Sequence, residues 1–191
     1  MYRLWLLPLI ALCLVSCGTL PASPAPEMID EKTGNTVTVV ARPIVFARDR
    51  TDVAAHARDY ATLVAVEIDR SGNFKDFLLV YRWSTVDKRM SPPPGSSMGD
   101  LKLLGDGRVI ELQALDSVPV GIQAENEMHL PRHGAALVHA YLVDHDLLRF
   151  IAASRTLTLQ LPQESLDTPF NLWKDGRAEL DVFLHQTSAP D

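Results

Sequence analysis

Histidine and glutamate side chains are concentrated in residues 125–133, which read ENEMHLPRH. In a strand, Glu125, Glu127 and His129 project from one face, with successive side chains about 6.8 Å apart. That spacing is too wide for one metal ion unless the strand bends, and zinc sites usually have more closely paired ligands. The segment is therefore interpreted as a solvated polar strand. A metal site formed by Glu127, His129 and His133 is the alternative hypothesis.

The run Asp144-His145-Asp146, followed later by Ser154, contains the residue types of a nucleophile, a base and an orienting carboxylate. A catalytic triad is defined by geometry, which a sequence does not supply. Carboxylates at the start of a helix have another use, because they accept hydrogen bonds from the free N–H groups of the first turn. Helix capping is therefore favoured over catalysis at this run.

Several motifs of common enzyme classes are missing from the sequence. It has no HExxH zinc motif, no phosphate-binding Walker loop, no dinucleotide-binding glycine pattern and no SxxK motif. These absences disfavour metalloproteases and nucleotide-dependent enzymes of familiar type. The prediction is a protein that is not an enzyme and that carries no cofactor.

Residues 87–100, DKRMSPPPGSSMGD, are rich in proline, glycine and serine. Consecutive prolines exclude a helix and a central strand, so this segment is predicted to be a loop. Long loops on a rigid scaffold often carry recognition, although others have no role. Lys88, Arg89 and Met90, at the base of the loop, are the predicted partner-binding residues.

Two tryptophans are candidates for either a core or a surface. Trp83 alternates in register with Leu79 and Tyr81, which favours a place among the large side chains of a core. Trp173 lies next to the turn signal Asp175-Gly176 and is the better surface candidate.

The N-terminal segment has the layout of a secretory signal. Arg3 precedes an apolar run that ends near Val15, and small residues follow. The run is shorter than the roughly 20 residues that a membrane-spanning helix needs, and Pro8 interrupts it.

The end of that run, Leu14-Val15-Ser16-Cys17, resembles the lipobox of bacterial lipoproteins. The resemblance covers only the first 18 residues or so, and it implies lipidation of Cys17 after removal of a signal peptide at residues 1–16. The sorting rule of the same family reads the next residue, and Gly18 implies the outer membrane, with the domain facing the periplasm. Since Cys13 leaves with the signal peptide, no intrachain disulfide is expected.

The composition limits the partners of the mature protein. The chain has a formal net charge of −6, with both signs spread along it. Nucleic acid is excluded as a partner, because binding it requires clustered basic residues. A negative body is also repelled by anionic lipids, so membrane binding is assigned to the lipid anchor.

Three regions follow from these features. They are a signal peptide at residues 1–16, a lipidated cysteine with a Pro/Ala/Ser-rich tether at 17–33, and one β-rich domain at 34–191. No family is recognised for the domain.

Alternating apolar residues dominate the domain and predict its fold. Residues 60–86 predict a long antiparallel hairpin around Ser71-Gly72, and residues 101–115 predict another around Asp106. Residues 36–48 predict a strand that is interrupted at Pro43 and lies at a sheet edge. Helices are expected near residues 144–154 and, with a second hairpin as the alternative, at 177–186.

The expected fold class is mainly β, with α+β as the variant: an antiparallel β-sandwich or partly closed barrel carrying one or two short helices. The predicted function is an envelope lipoprotein that acts as a non-catalytic periplasmic binding or assembly module for an envelope protein. The alternative is a periplasmic metal-binding protein or enzyme that uses the His/Glu cluster.

Overall fold

A computed structural model describes residues 22–86, 100–119, 122, 137–161 and 168–187. In these residues, ten strands form one antiparallel sheet, and two helices accompany it. The expected fold class, mainly antiparallel β in a sandwich or partly closed barrel with one or two helices, is confirmed. The strands are β1 Glu27–Ile29, β2 Thr36–Val39, β3 Ile44–Asp49, β4 Arg58–Arg70, β5 Asn73–Ser84, β6 Leu101–Gly105, β7 Arg108–Leu112, β8 Leu137–Val143, β9 Leu157–Gln160 and β10 Phe170–Lys174.

The long strand β4 organises the sheet. One edge of β4 pairs with β5 along its whole length, and the other edge pairs with β3 in its first half and with β2 in its second half. β2 and β3 are separate strands on this edge because Pro43, which lies between them, has no N–H to donate to a β-ladder. The expected edge position of residues 36–48 is wrong: β2 lies between β1 and β4, and β3 lies between β4 and β10.

The β4–β5 hairpin turns at Ser71 and Gly72, as expected. Both residues have positive φ angles, 54° and 88°, which suit the tight turns that match the twist of paired strands. In the middle of the hairpin, Val64 lies opposite Leu79, and both side chains are fully buried. The β6–β7 hairpin turns in the same way at Asp106 and Gly107.

The sheet curls so that its two ends approach each other. Its order runs from β8 through β5, β4, β3, β10, β9 and β6 to β7. Leu115, just after β7, donates its N–H to the carbonyl of Ala140 in β8 at 2.8 Å. In the described part of the chain β7 and β8 form no ladder with each other, so the barrel remains open between them.

The helices are α1 His145–Ala153 and α2 Arg177–Thr187. Asp144 caps α1 by accepting the Leu147 N–H at 2.7 Å, which confirms the capping interpretation. Ile151 of α1 and Leu180 of α2 face the sheet residues Leu63, Ala65 and Leu78 across a small apolar gap. α2 confirms the helix expected at residues 177–186, and the alternative of a hairpin there is wrong.

The sheet begins inside the segment predicted to be a tether. β1 pairs with β2, with Glu27 opposite Thr38. Just before β1, Ala25 donates its N–H to Oε1 of Gln186 in α2 at 2.6 Å. The residues from Glu27 onward therefore pack with the domain predicted to begin at residue 34.

Candidate binding surface

The residues singled out from the sequence for binding or modification lie mostly outside the described residues. This applies to Cys17, to the partner-contact residues Lys88, Arg89 and Met90, and to the metal candidates Glu127, His129 and His133. Among the described residues, no group of three His, Cys, Asp or Glu side chains is placed to hold a metal ion. The metal-site and loop hypotheses therefore stay predictions.

The residues of the triad hypothesis do not come together. His145 contacts Asp76, at a distance of 2.7 Å between Nδ1 and Oδ2. Ser154 lies at the opposite end of α1 and donates its hydroxyl to the carbonyl of Phe150 at 2.7 Å. Asp146 pairs with Arg149 on the surface of the helix. The structure therefore gives no support to catalysis by these side chains.

Residues 95–99, GSSMG, match the GxSxG pattern that surrounds the nucleophilic serine of many hydrolases. The prediction that the protein is not an enzyme takes no account of this match. They lie outside the described residues. The pattern indicates a hydrolase where it joins a strand to a helix in an α/β sheet. Here the next element along the chain is β6, a strand of an antiparallel sheet, so that context is missing.

A row of three aromatic side chains crosses the sheet near the open end of the β4–β5 hairpin. Tyr60 stacks on Trp83, with ring centroids 4.0 Å apart and an interplanar angle of 11°. Trp173 meets Tyr60 edge-on, with centroids 6.4 Å apart and an angle of 75°. We call Trp83, Tyr60 and Trp173 the aromatic row.

Strand register explains why these rings meet. Tyr60 is the cross-strand partner of Trp83 in β5 and of Ala47 in β3, and Ala47 in turn lies opposite Asn171 in β10. Trp173 lies two residues further along β10, at an irregularity where the register against β3 shifts between Leu172 and Lys174. The small side chain of Ala47 leaves room for Tyr60 and Trp173 to meet across β3.

Arg58 completes this surface. Its guanidinium lies 4.4 Å from the centre of the Trp173 ring and forms an ion pair with Asp49, with 2.7 Å between Nε and Oδ1. The hydrogen bond from Asp49 raises the pKa of Arg58 above its usual value. A cation over an aromatic face is attracted electrostatically by the negative face of the ring.

A buried ion network supports the same end of the sheet. Asp59 accepts hydrogen bonds from Arg48 at 2.8 Å and from Arg50 at 3.1 Å, and Arg48 also lies 4.4 Å from the centre of the Phe170 ring. Burial raises the pKa of Asp59, but hydrogen bonds from Arg48, Ser84 and Arg50 outweigh it and hold the pKa below its usual value. These contacts tie β3, β4 and β5 together directly behind the aromatic row.

The arrangement suits binding. Trp173 is 49% exposed, whereas Trp83 is half-buried against Tyr60. The surface position of Trp173 agrees with its interpretation from the sequence, and Trp83 lies between core and surface. Sequence reasoning missed Tyr60 and Arg58, because their roles depend on strand pairing with distant residues.

Comparisons with protein-family models, with curated proteins and with solved structures found no match to this chain. Of the helices in the described ranges, neither α1 nor α2 has the length and apolar character needed to cross a membrane.

Proposed function

We propose that this protein is a bacterial envelope lipoprotein, held at the periplasmic side of the outer membrane by lipids on Cys17. Its domain binds an envelope protein and catalyses no reaction. The observation that carries the binding part of the proposal is Trp173, a half-exposed tryptophan at the end of a packed aromatic row. The lipobox-like sequence supports the anchored location.

The chemistry of the surface favours a protein partner. Trp, Tyr and Arg are enriched at the energetic centres of protein interfaces, where a large ring enters a pocket of the partner. Trp173 supplies such a ring, and Arg58 supplies a cation already paired with Asp49. Because the charge of Arg58 is already paired, covering this surface with a partner removes little unpaired charge from water.

The surface is also preorganised. The aromatic row is built on strands rather than on loops, and Tyr60 contacts both neighbouring rings, stacked on Trp83 and edge-on to Trp173. A side chain that is already ordered loses less conformational entropy on binding. Lys88, Arg89 and Met90 follow soon after the end of β5 in the sequence, and the proposal includes them in the contact region.

Cross-linking in intact cells tests this proposal. We expect the wild-type protein to cross-link to a defined envelope protein and Trp173→Ala to lose that product. Truncating a central interface tryptophan removes on the order of 2 kcal/mol of binding free energy, which is about thirtyfold in Kd.

Phe74→Ala is the matched control for this experiment. Phe74 is 52% exposed, comparable to Trp173, but it lies beside the β4–β5 turn, about 30 Å along β5 from Trp83. Phe74→Ala should keep the cross-linked product. If both variants kept it, or both lost it while remaining folded, the aromatic row would not be the contact surface.

A further inference from the structure

Three ionisable side chains come together where the helices meet the sheet: Glu67 of β4, Asp76 of β5 and His145 of α1. Glu67 and Asp76 are cross-strand partners, so their side chains project from the same face. Glu67 is 6% exposed, and the side chain of Asp76 is 11% exposed. Two carboxyl groups therefore lie side by side with little access to water. Together with His145 they form the carboxyl–histidine cluster.

His145 links three elements through this cluster. Its Nδ1 lies 2.7 Å from Oδ2 of Asp76 in β5, and its Nε2 lies 3.4 Å from the carbonyl oxygen of Leu184 in α2. The imidazole thus joins the first turn of α1 both to the sheet and to the last turns of α2.

The second carboxyl oxygen of Asp76 lies in an unfavourable environment. Oδ1 is buried and has no hydrogen-bond partner among the described residues. A buried carboxylate oxygen without a donor is unfavourable, and a second negative charge beside it makes the site worse. The protonation state of Glu67 therefore decides how much negative charge the carboxyl–histidine cluster holds.

The surroundings of Glu67 favour its neutral form. Burial, and next the negative charge of Asp76, raise its pKa to about 7, although His145 acts in the opposite direction. Asp69 of β4 and Glu27 of β1 raise it further. The neighbouring residue on β2 is the uncharged Thr38. On α2, Asp181 and His185 have mostly exposed side chains.

We propose that the carboxyl–histidine cluster is a proton-dependent latch: α1 and α2 are held on the sheet while Glu67 is protonated, and its ionisation weakens their attachment. The inference does not depend on the proposed binding surface. It has a consequence for the N-terminal segment, because Gln186 of α2 holds the backbone N–H of Ala25. Loosening α2 therefore also loosens the point where the chain from the lipid anchor joins the domain.

The thermodynamic linkage between proton binding and folding gives the direction in which pH changes the stability of the latch. A carboxyl group whose pKa is raised on folding binds its proton more tightly in the folded state. Its stabilising contribution is complete below the unfolded pKa of 4.5, falls as the pH rises from 4.5 to about 7, and is absent above that value. The latch is therefore closed in mild acid and weakened in mild alkali.

Hydrogen exchange of the full-length protein in detergent tests the latch. Amide protection in α1 and α2, corrected for intrinsic exchange, is measured at about pH 5 and about pH 8. In the wild type we expect protection to fall by on the order of tenfold to a hundredfold between these values. Glu67→Gln, which keeps the shape of the side chain but cannot ionise, should show a much smaller change. The exposed residue Glu31 provides the control Glu31→Gln, which should behave like the wild type.

Equal pH dependence in Glu67→Gln and the wild type would overturn the proposal. A second measurement needs no variant: the carboxyl carbon of Glu67 is titrated by NMR in the wild-type protein. A midpoint near 7 supports the latch, and a midpoint near the ordinary value of 4.5 overturns it.

Discussion

At the residue scale, the surface side chains of the aromatic row depend on charged groups buried behind them. Arg48 and Asp59 are both almost inaccessible to water, and their ion pair spans the β3–β4 ladder as a cross-strand pair. A buried pair contributes little net stability compared with an apolar pair, but removing one partner leaves the other charge uncompensated. The network therefore fixes the geometry of β3 and β4 under Tyr60.

Asp59→Asn tests this role. The change removes the carboxylate that both Arg48 and Arg50 contact, so we expect it to lower the free energy of unfolding by about 3–5 kcal/mol. Urea denaturation at neutral pH measures the loss. Asp52→Asn is the control, because Asp52 also pairs with Arg50 but its side chain is 51% exposed, and it should lower the free energy of unfolding much less than Asp59→Asn does.

If Asp59→Asn and Asp52→Asn lowered the free energy of unfolding equally, Asp59 would not be the central carboxylate of the network. The wild type offers a further check. Because the pKa of Asp59 is lowered on folding, its contribution is present above the ordinary value of 3.8 and is lost as the pH falls below it. Asp59→Asn should remove that part of the acid sensitivity.

At the element scale, the sequence predicts what is local. Alternation around Ser71-Gly72 identifies the β4–β5 hairpin, and the Asp144 cap identifies the start of α1. Residues 175–176 carry a hairpin signal, yet a strand and a helix flank them. The structure gives a different reason for the glycine: a Cβ at Gly176 would lie 2.6 Å from the carbonyl oxygen of Pro43, so this position requires close backbone approach.

Long-range pairing is what the sequence does not predict. The sharing of one β4 edge by β2 and β3, and the addition of β1 to β2, depend on contacts between distant segments. The aromatic row and the carboxyl–histidine cluster also depend on contacts between distant segments. Trp173 could be picked out by its position beside a turn, but its contact with Tyr60 depends on the register of three strands. Glu67 alternates like a solvated strand residue, yet in the folded domain it is 6% exposed.

At the scale of the whole molecule, the proposed function combines a lipid anchor with a binding domain. The net charge of −6 opposes adsorption to anionic lipids, so in the proposed function the attachment comes from the lipid anchor. Acyl chains contribute about 0.8 kcal/mol per buried methylene, and more than one chain gives stable anchoring.

Cys17→Ser tests the anchor, and Cys13→Ser is its control. We expect Cys17→Ser to accumulate as an unlipidated precursor that is not cut before residue 17, since the acceptor thiol is missing. Cys13 lies within the predicted signal peptide, so Cys13→Ser should be processed and lipidated normally. Labelling with a fatty-acid analogue and measuring the mass of the mature N-terminus distinguish these results. Normal processing and membrane fractionation of Cys17→Ser would contradict the lipoprotein proposal.

The most direct test of the central claim is whether a partner covers Trp173 in the envelope. Hydroxyl-radical oxidation of Trp173 is compared between isolated envelopes and the purified full-length protein, with Phe74 as the internal reference, since both rings are about half exposed. The proposed function predicts that oxidation of Trp173 falls severalfold in envelopes while oxidation of Phe74 does not change. Equal oxidation of Trp173 in both preparations would contradict it.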